Sequence, residues 1–190
     1  MTDMQYEDAK LEWFPMRVTY NRELKVKENL EKLNIESFVP MHYEAVGIGS
    51  DRQIKLVPAI NNLIFVHALQ KELTELKMSR RELQPLRYMM RPVLGQNGKH
   101  EIIRVPDRQM ENFMRVASIE DDRVMFLKYE DFLSKPGQRV KITTGFFTGV
   151  EGVVKRIFNN RRVVVQIEGI AAVAIAHVPK EYLTPIDNEH

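Results

Sequence analysis

The chain has no cysteine among its 190 residues. That excludes disulfides and cysteine-ligated zinc, and it fits a reducing, cytoplasmic setting. Long apolar runs are also lacking. The longest uninterrupted one, Ile170 to Ala176, is far too short to span a bilayer. The opening twelve residues, MTDMQYEDAKLE, hold no apolar stretch and do not read as a secretory signal. No partnership with a membrane is expected. Charge of one sign is scarce too: the net value is +2, a weak sign of nucleic-acid binding.

The constellations that carry catalysis are missing as well. No glycine-rich loop ends in Lys-Ser or Lys-Thr, so phosphate-loop chemistry is excluded. Gly145, Gly149 and Gly152 lie between strand patterns, whereas a dinucleotide fingerprint has to open a helix. His42, His67, His100, His177 and His190 are scattered without metal-ligand spacing. No nucleophile stands beside a base. The expectation is a binding protein with no catalytic residue, no metal and no cofactor.

What is present is an ordinary globular composition, 44% hydrophobic, with length for one or two domains. In the first half strand and helix patterns alternate. Trp13 to Val18 is β-prone, and Pro15 within it points to a strand start or a sheet edge. Asn21 offers a helix cap, followed by Val26, Leu30 and Leu33 at helical spacing. Ile35 to Met41 reads as a strand, and residues 44 to 57 as a hairpin. Leu63 to Val66 is apolar enough for the centre of a sheet, and Leu69, Leu73 and Leu76 mark a second helix. Residues 86 to 90 and Glu101 to Val105 read as further strands. Pro106 and Asp107 open a helix with Met110, Phe113, Met114 and Ala117 on one face. The β-α-β-β-α-β order predicts a ferredoxin-like α+β sandwich over residues 12–117.

Residues 118–134 read as a linker with one extended piece, Val124 to Leu127. Beyond it every pattern is strand. In GQRVKITTGFFTGVEGVVKRI, residues 137–157, two alternating stretches flank a glycine-rich turn. Asn159-Asn160 marks a hairpin, Ile170 to Ile175 a fourth strand, and Tyr182, Leu183 and Ile186 a closing one. Five short strands predict a closed all-β barrel over residues 135–187. The β-branched run of Val140, Ile142, Val153, Val154, Val163, Val164, Val165, Val173 and Ile175 predicts that this region stays in strands, with no helical state.

The 137–157 stretch resembles the KOW motif of small SH3-like barrels in elongation factors and ribosomal proteins. With the Trp-Phe strand, the helix after TYNRE, Val39-Pro40 and the apolar third strand, the chain resembles the NusG family over residues 12 to 187. Within that family it looks closest to the specialised paralogues, the UpxY antiterminators of capsular-polysaccharide operons and the RfaH type. The resemblance implies an N-terminal (NGN) domain on the clamp helices of RNA polymerase and a KOW domain that recruits a ribosomal protein or the termination factor Rho. It implies a monomeric transcription factor that promotes elongation and antitermination in long operons.

Carried onto this chain, the polymerase-facing positions are Trp13, Phe14, Leu63 and Phe65. The segment that meets exposed non-template DNA, or RNA, is Tyr20, Asn21, Arg22 and Lys25, where an aromatic ring beside cations suits an unpaired base and its phosphates. The family's Phe-Pro-Gly-Tyr turn before the third strand is replaced by Ile60-Asn61-Asn62-Leu63, which favours a divergent paralogue. Trp13 also has a core reading, since a strand tryptophan is more often core than interface. Phe146 and Phe147 are adjacent at the barrel tip; both cannot turn inward, and the exposed one becomes the KOW partner contact.

Two other readings stay open: a general pausing factor that recruits Rho, and a ribosome-associated RNA-binding KOW protein. The latter predicts strong basicity, yet residues 118 to 190 carry ten basic and ten acidic side chains. A local excess does exist between Lys77 and Arg108. Lys77, Arg80, Arg81, Arg87, Arg91, Lys99, Arg104 and Arg108 face only Glu82, Glu101 and Asp107 there, enough to attract phosphate or an acidic surface.

Overall fold

Two long, largely apolar strands buried on both faces set the first layer of the molecule. The structure, a computed structural model, describes residues 10–128 and 137–186. Residues 129–134 of the expected linker, positions 135, 136 and 187 of the expected barrel, and His190 lie outside the described residues. Contacts divide the chain into two units, Met1–Asp107 and Arg108–His190.

In the first unit β1 (Leu11–Val18) leads into α1 (Glu23–Lys32) and β2 (Glu36–Phe38). The hairpin β3 (Met41–Val46) and β4 (Gln53–Pro58) follows, then β5 (Leu63–Leu69), α2 (Gln70–Ser79), β6 (Leu86–Tyr88), β7 (Met90–Pro92) and β8 (His100–Ile102). The main sheet runs β2-β5-β1-β6, all antiparallel, which is the expected ferredoxin-like order. β3 with β4, and β7 with β8, form separate two-stranded ladders.

One face of this sheet holds the core. Phe14, Met16 and Val18 of β1 cluster with Ile64, Val66 and Ala68 of β5, with Val26 and Leu30 of α1, and with Leu73 of α2. Burying a leucine such as Leu30 or Leu73 contributes about 1.5–3 kcal/mol, which holds each helix to the sheet better than its propensity would.

The position of β1 corrects the reading of Pro15 as an edge signal: the strand lies between β5 and β6. A proline is tolerated there because β6 ends one pair earlier, at Met16 opposite Tyr88. Met89 N–H still donates to the Pro15 carbonyl at 3.2 Å, while the Met89 carbonyl accepts from Ile103 N–H at 3.0 Å. The acceptor that would face the missing proline N–H is therefore already occupied.

The second unit begins with α3 (Asp107–Ala117), followed by β9 (Val124–Leu127), β10 (Gln138–Ile142), β11 (Glu151–Ile157), β12 (Asn160–Ile167), β13 (Ala171–Ile175) and β14 (Leu183–Pro185). The six strands form one antiparallel sheet in the order β14-β10-β11-β12-β13-β9. No ladder joins β14 to β9 among the described residues. Two placements differ from expectation. The extended piece assigned to a linker is β9, paired along its length with β13. Helix α3 groups with this unit: Gln109 Nε2 donates to the Gln166 carbonyl at 3.2 Å, Arg115 to the Thr148 carbonyl at 2.7 Å, and Glu151 N–H to Asn112 Oδ1 at 3.3 Å.

The turn between β11 and β12 is made by Phe158 and Asn159, both left-handed with φ of 47° and 62°. Two such residues give the turn whose twist matches an antiparallel hairpin, one position before the expected Asn159-Asn160. The glycines of the 137–157 stretch divide their work. Gly145 and Gly149 adopt φ of 88° and 89°. Gly152 instead makes room, since a Cβ there would lie 2.7 Å from the Val164 carbonyl oxygen on β12. Replacing Gly152 with alanine is expected to lower unfolding stability by about 1–3 kcal/mol, measured by urea denaturation, because the obstacle is backbone and cannot rotate away.

Candidate nucleic-acid interface and partner surfaces

Between β1 and α1 the backbone makes an unusual turn. Tyr20 and Asn21 are consecutive non-glycine residues with positive φ, 64° and 49°. Each such residue costs roughly 1–3 kcal/mol, so the surroundings have to hold it. They do so through Asn62, in the turn before β5, itself left-handed at φ 61°. Asn62 Oδ1 accepts from Asn21 N–H at 2.9 Å. Its own N–H donates to Glu23 Oε1 at 2.9 Å, and its carbonyl accepts from Val18 N–H at 2.9 Å. These three hydrogen bonds, at about 1 kcal/mol each, offset part of that strain.

The result is display. Tyr20 is 82% exposed, and the Arg22 guanidinium lies 5.4 Å from its ring centroid. Lys25 is exposed on the first turns of α1, paired with Glu28 at 3.1 Å. Asn21 corrects the expectation of a helix cap: Arg22 occupies that position, without a side-chain cap bond. Asn21 contributes its backbone instead. Glu23 at the first helical position was not singled out by the sequence, yet it is 2% exposed and joins the two turns.

The expected polymerase-facing set separates by strand alternation. Trp13, Leu63 and Phe65 share the sheet face opposite the helices, as the pairs Trp13–His67, Pro15–Phe65 and Arg17–Leu63 show. Trp13 also stacks on the His67 ring, with centroids 4.7 Å apart. Phe14 points the other way into the helix-side core. It is a core residue, since the pleat sends neighbours to opposite faces. All four are buried.

At the tip of the second unit Phe147 is buried, while Phe146 is 65% exposed with its ring edge-on to that of Phe147. The Arg123 guanidinium lies 5.8 Å from the Phe146 centroid and 5.2 Å from that of Phe147. Asp121 grips the same guanidinium with both oxygens, at 2.9 and 2.6 Å. Sequence reasoning passed over this pair because Asp121 reads as linker charge.

The basic excess between residues 77 and 108 is largely spent within the fold. Arg91 pairs with Glu101 at 2.6 Å, Arg104 with Glu12 at 2.8 Å, and Arg108 with Glu151. Lys77 lies 4.3 Å over the Tyr88 ring, and burial, followed by the nearby Arg87, lowers its pKa. Among the described residues no three His, Asp or Glu side chains are grouped to hold a metal ion. Nor is any helix there long and apolar enough to cross a membrane.

Hydrogen bonds from Arg123 hold the Asp121 carboxyl at a pKa of about 2, below its ordinary 3.8. A depressed carboxyl contributes stability that is present above pH 4 and lost as pH falls towards 2. The expected NMR titration of the Asp121 carboxyl carbon therefore has its midpoint near 2. A midpoint near 3.8 would mean the clasp is open in solution.

No curated protein matches the chain. Among solved structures, one described as "Domain interaction in Thermotoga maritima NusG" is similar, with a TM-score of 0.45 and 20% identity, covering 95% of this chain and 99% of that one. A family model described as "Transcription termination factor nusG" matches residues 11–114. That stretch holds the whole ferredoxin-like sheet, its two helices and the Tyr20 turn, and it amounts to more than half of the sequence; the chain belongs to the NusG family of transcription factors.

Proposed function

We propose that this chain is a specialised elongation factor, of the UpxY or RfaH kind, that binds RNA polymerase and carries it through long operons such as those for surface polysaccharides. The observation that carries the reading is the turn at Tyr20 and Arg22, which holds an exposed ring beside a guanidinium on the domain that defines the family. A ring open to stacking with Arg22 beside it, and Lys25 exposed on the helix that follows, suits an unpaired base and its phosphates, as on a non-template strand. The factor acts by binding, with no chemistry of its own.

Trp13, Leu63 and Phe65 form the apolar strip proposed to meet the polymerase clamp helices. Because they are buried here, that contact requires their face to be uncovered. The C-terminal sheet is proposed as a KOW domain that recruits a second factor, a ribosomal protein or Rho, through Phe146. The main competing reading is a general pausing factor that works with Rho. Ile60-Asn61-Asn62-Leu63, standing where general members carry Phe-Pro-Gly-Tyr, favours the specialised role.

Retention of the full chain on immobilised core RNA polymerase, with increased read-through of a Rho-dependent terminator in single-round transcription, is the expected outcome. Retention with reduced read-through in the presence of Rho would favour the general factor. If polymerase does not retain the chain, the proposal fails.

A further inference from the structure

We infer that Asn62 is a positioning residue for single-stranded DNA: it locks the Tyr20–Arg22 turn in the shape that presents the ring. The inference rests on the nucleic-acid reading above and adds the part that sets the site's geometry. A left-handed pair such as Tyr20 and Asn21 persists only when neighbouring groups over-determine it, and such strain gathers where a surface has to be held ready. Nothing in the core benefits from the pair, since Tyr20, Asn21 and Arg22 are all exposed. The buried polar side chain at the turn is Glu23, and its Oε1 is committed to Asn62 N–H.

The roles within Asn62 are separable. Its left-handed backbone and its two main-chain bonds, to Glu23 and Val18, would survive in a glycine. Its Oδ1 is the one group that reaches across 41 residues to the Asn21 amide. Asparagine alone combines ready access to left-handed φ with a side-chain acceptor of that length and no charge, so it does here what a Pro-Gly turn cannot. Holding the turn before DNA arrives removes the ordering entropy that a loose loop would lose on binding. The negative groups nearby fit this arrangement. Glu23 is turned inward with Oε1 bonded to Asn62 N–H, and Glu28 is paired with Lys25.

The test compares Asn62→Gly and Tyr20→Ala with the parent full-length protein. Fluorescence anisotropy with a labelled single-stranded oligodeoxynucleotide reads binding, NMR hydrogen exchange reads the Asn21 amide, and thermal melting reads the fold. Tyr20→Ala is expected to weaken binding by about tenfold, the size of one lost stack. Asn62→Gly is expected to melt within a few degrees of the parent, to expose the Asn21 amide, and to weaken binding by roughly three- to tenfold. If Asn62→Gly frees the amide yet binds DNA as the parent does, while Tyr20→Ala binds worse, the positioning role is wrong and the nucleic-acid reading stands. Should Tyr20→Ala bind as well as the parent, the nucleic-acid reading fails and this inference falls with it. Fast exchange of the Asn21 amide in the parent itself would overturn the lock without recourse to any variant.

Discussion

The antiparallel pairing of β1 with β5 is the constraint on which the first unit depends. It runs without a break from Leu11 opposite Leu69 to Arg17 opposite Leu63. Because side chains alternate along both strands, this single register decides which residues meet the helices and which form the second face. A slip of β1 by one position would turn Phe14, Met16 and Val18 away from α1 and α2 while Ile64 and Val66 kept facing them, and would remove half of the helices' floor. The register also fixes the ends of the two strands. It therefore sets where the chain turns after Val18 and before Leu63, and so brings the Tyr20 and Asn62 turns together. Core packing and the proposed DNA surface thus share one cause.

Much of the fold was legible because its signals are local. The 3.6-residue spacing of Val26 and Leu30, the apolar run from Leu63 and the strand alternation after Gly137 each belong to a few consecutive residues. The failures have the opposite character. β9 looks like a linker until its partner β13 is in place, more than forty residues away. Asn21 looks like a cap because asparagine often is one, and only the distant Asn62 shows it in another role. The Phe14 error was avoidable: beside Trp13 on a strand, it had to face the other way.

The charge pattern teaches the same lesson. Counting residues 77 to 108 alone gives a basic excess, but Arg104 finds Glu12 and Arg108 finds Glu151, partners far outside that window. What the fold leaves for a polyanion is smaller than the local count, and the Tyr20 turn gains importance as a result. At the other unit's tip the same kind of pairing does the reverse. Asp121 fixes Arg123 against two aromatic rings and so shapes the surface around Phe146 instead of cancelling it.

The hairpin of β3 and β4 pairs only with itself, and Tyr43, Ile48, Ile54 and Leu56 on it are exposed. Of its two strands only Met41, at the base of β3, packs against the core cluster of this unit. Beyond that base it can be lengthened or trimmed by matched pairs of residues, two on each arm, with both faces kept in phase and the sandwich beneath untouched. Its reach can change without renegotiating the fold.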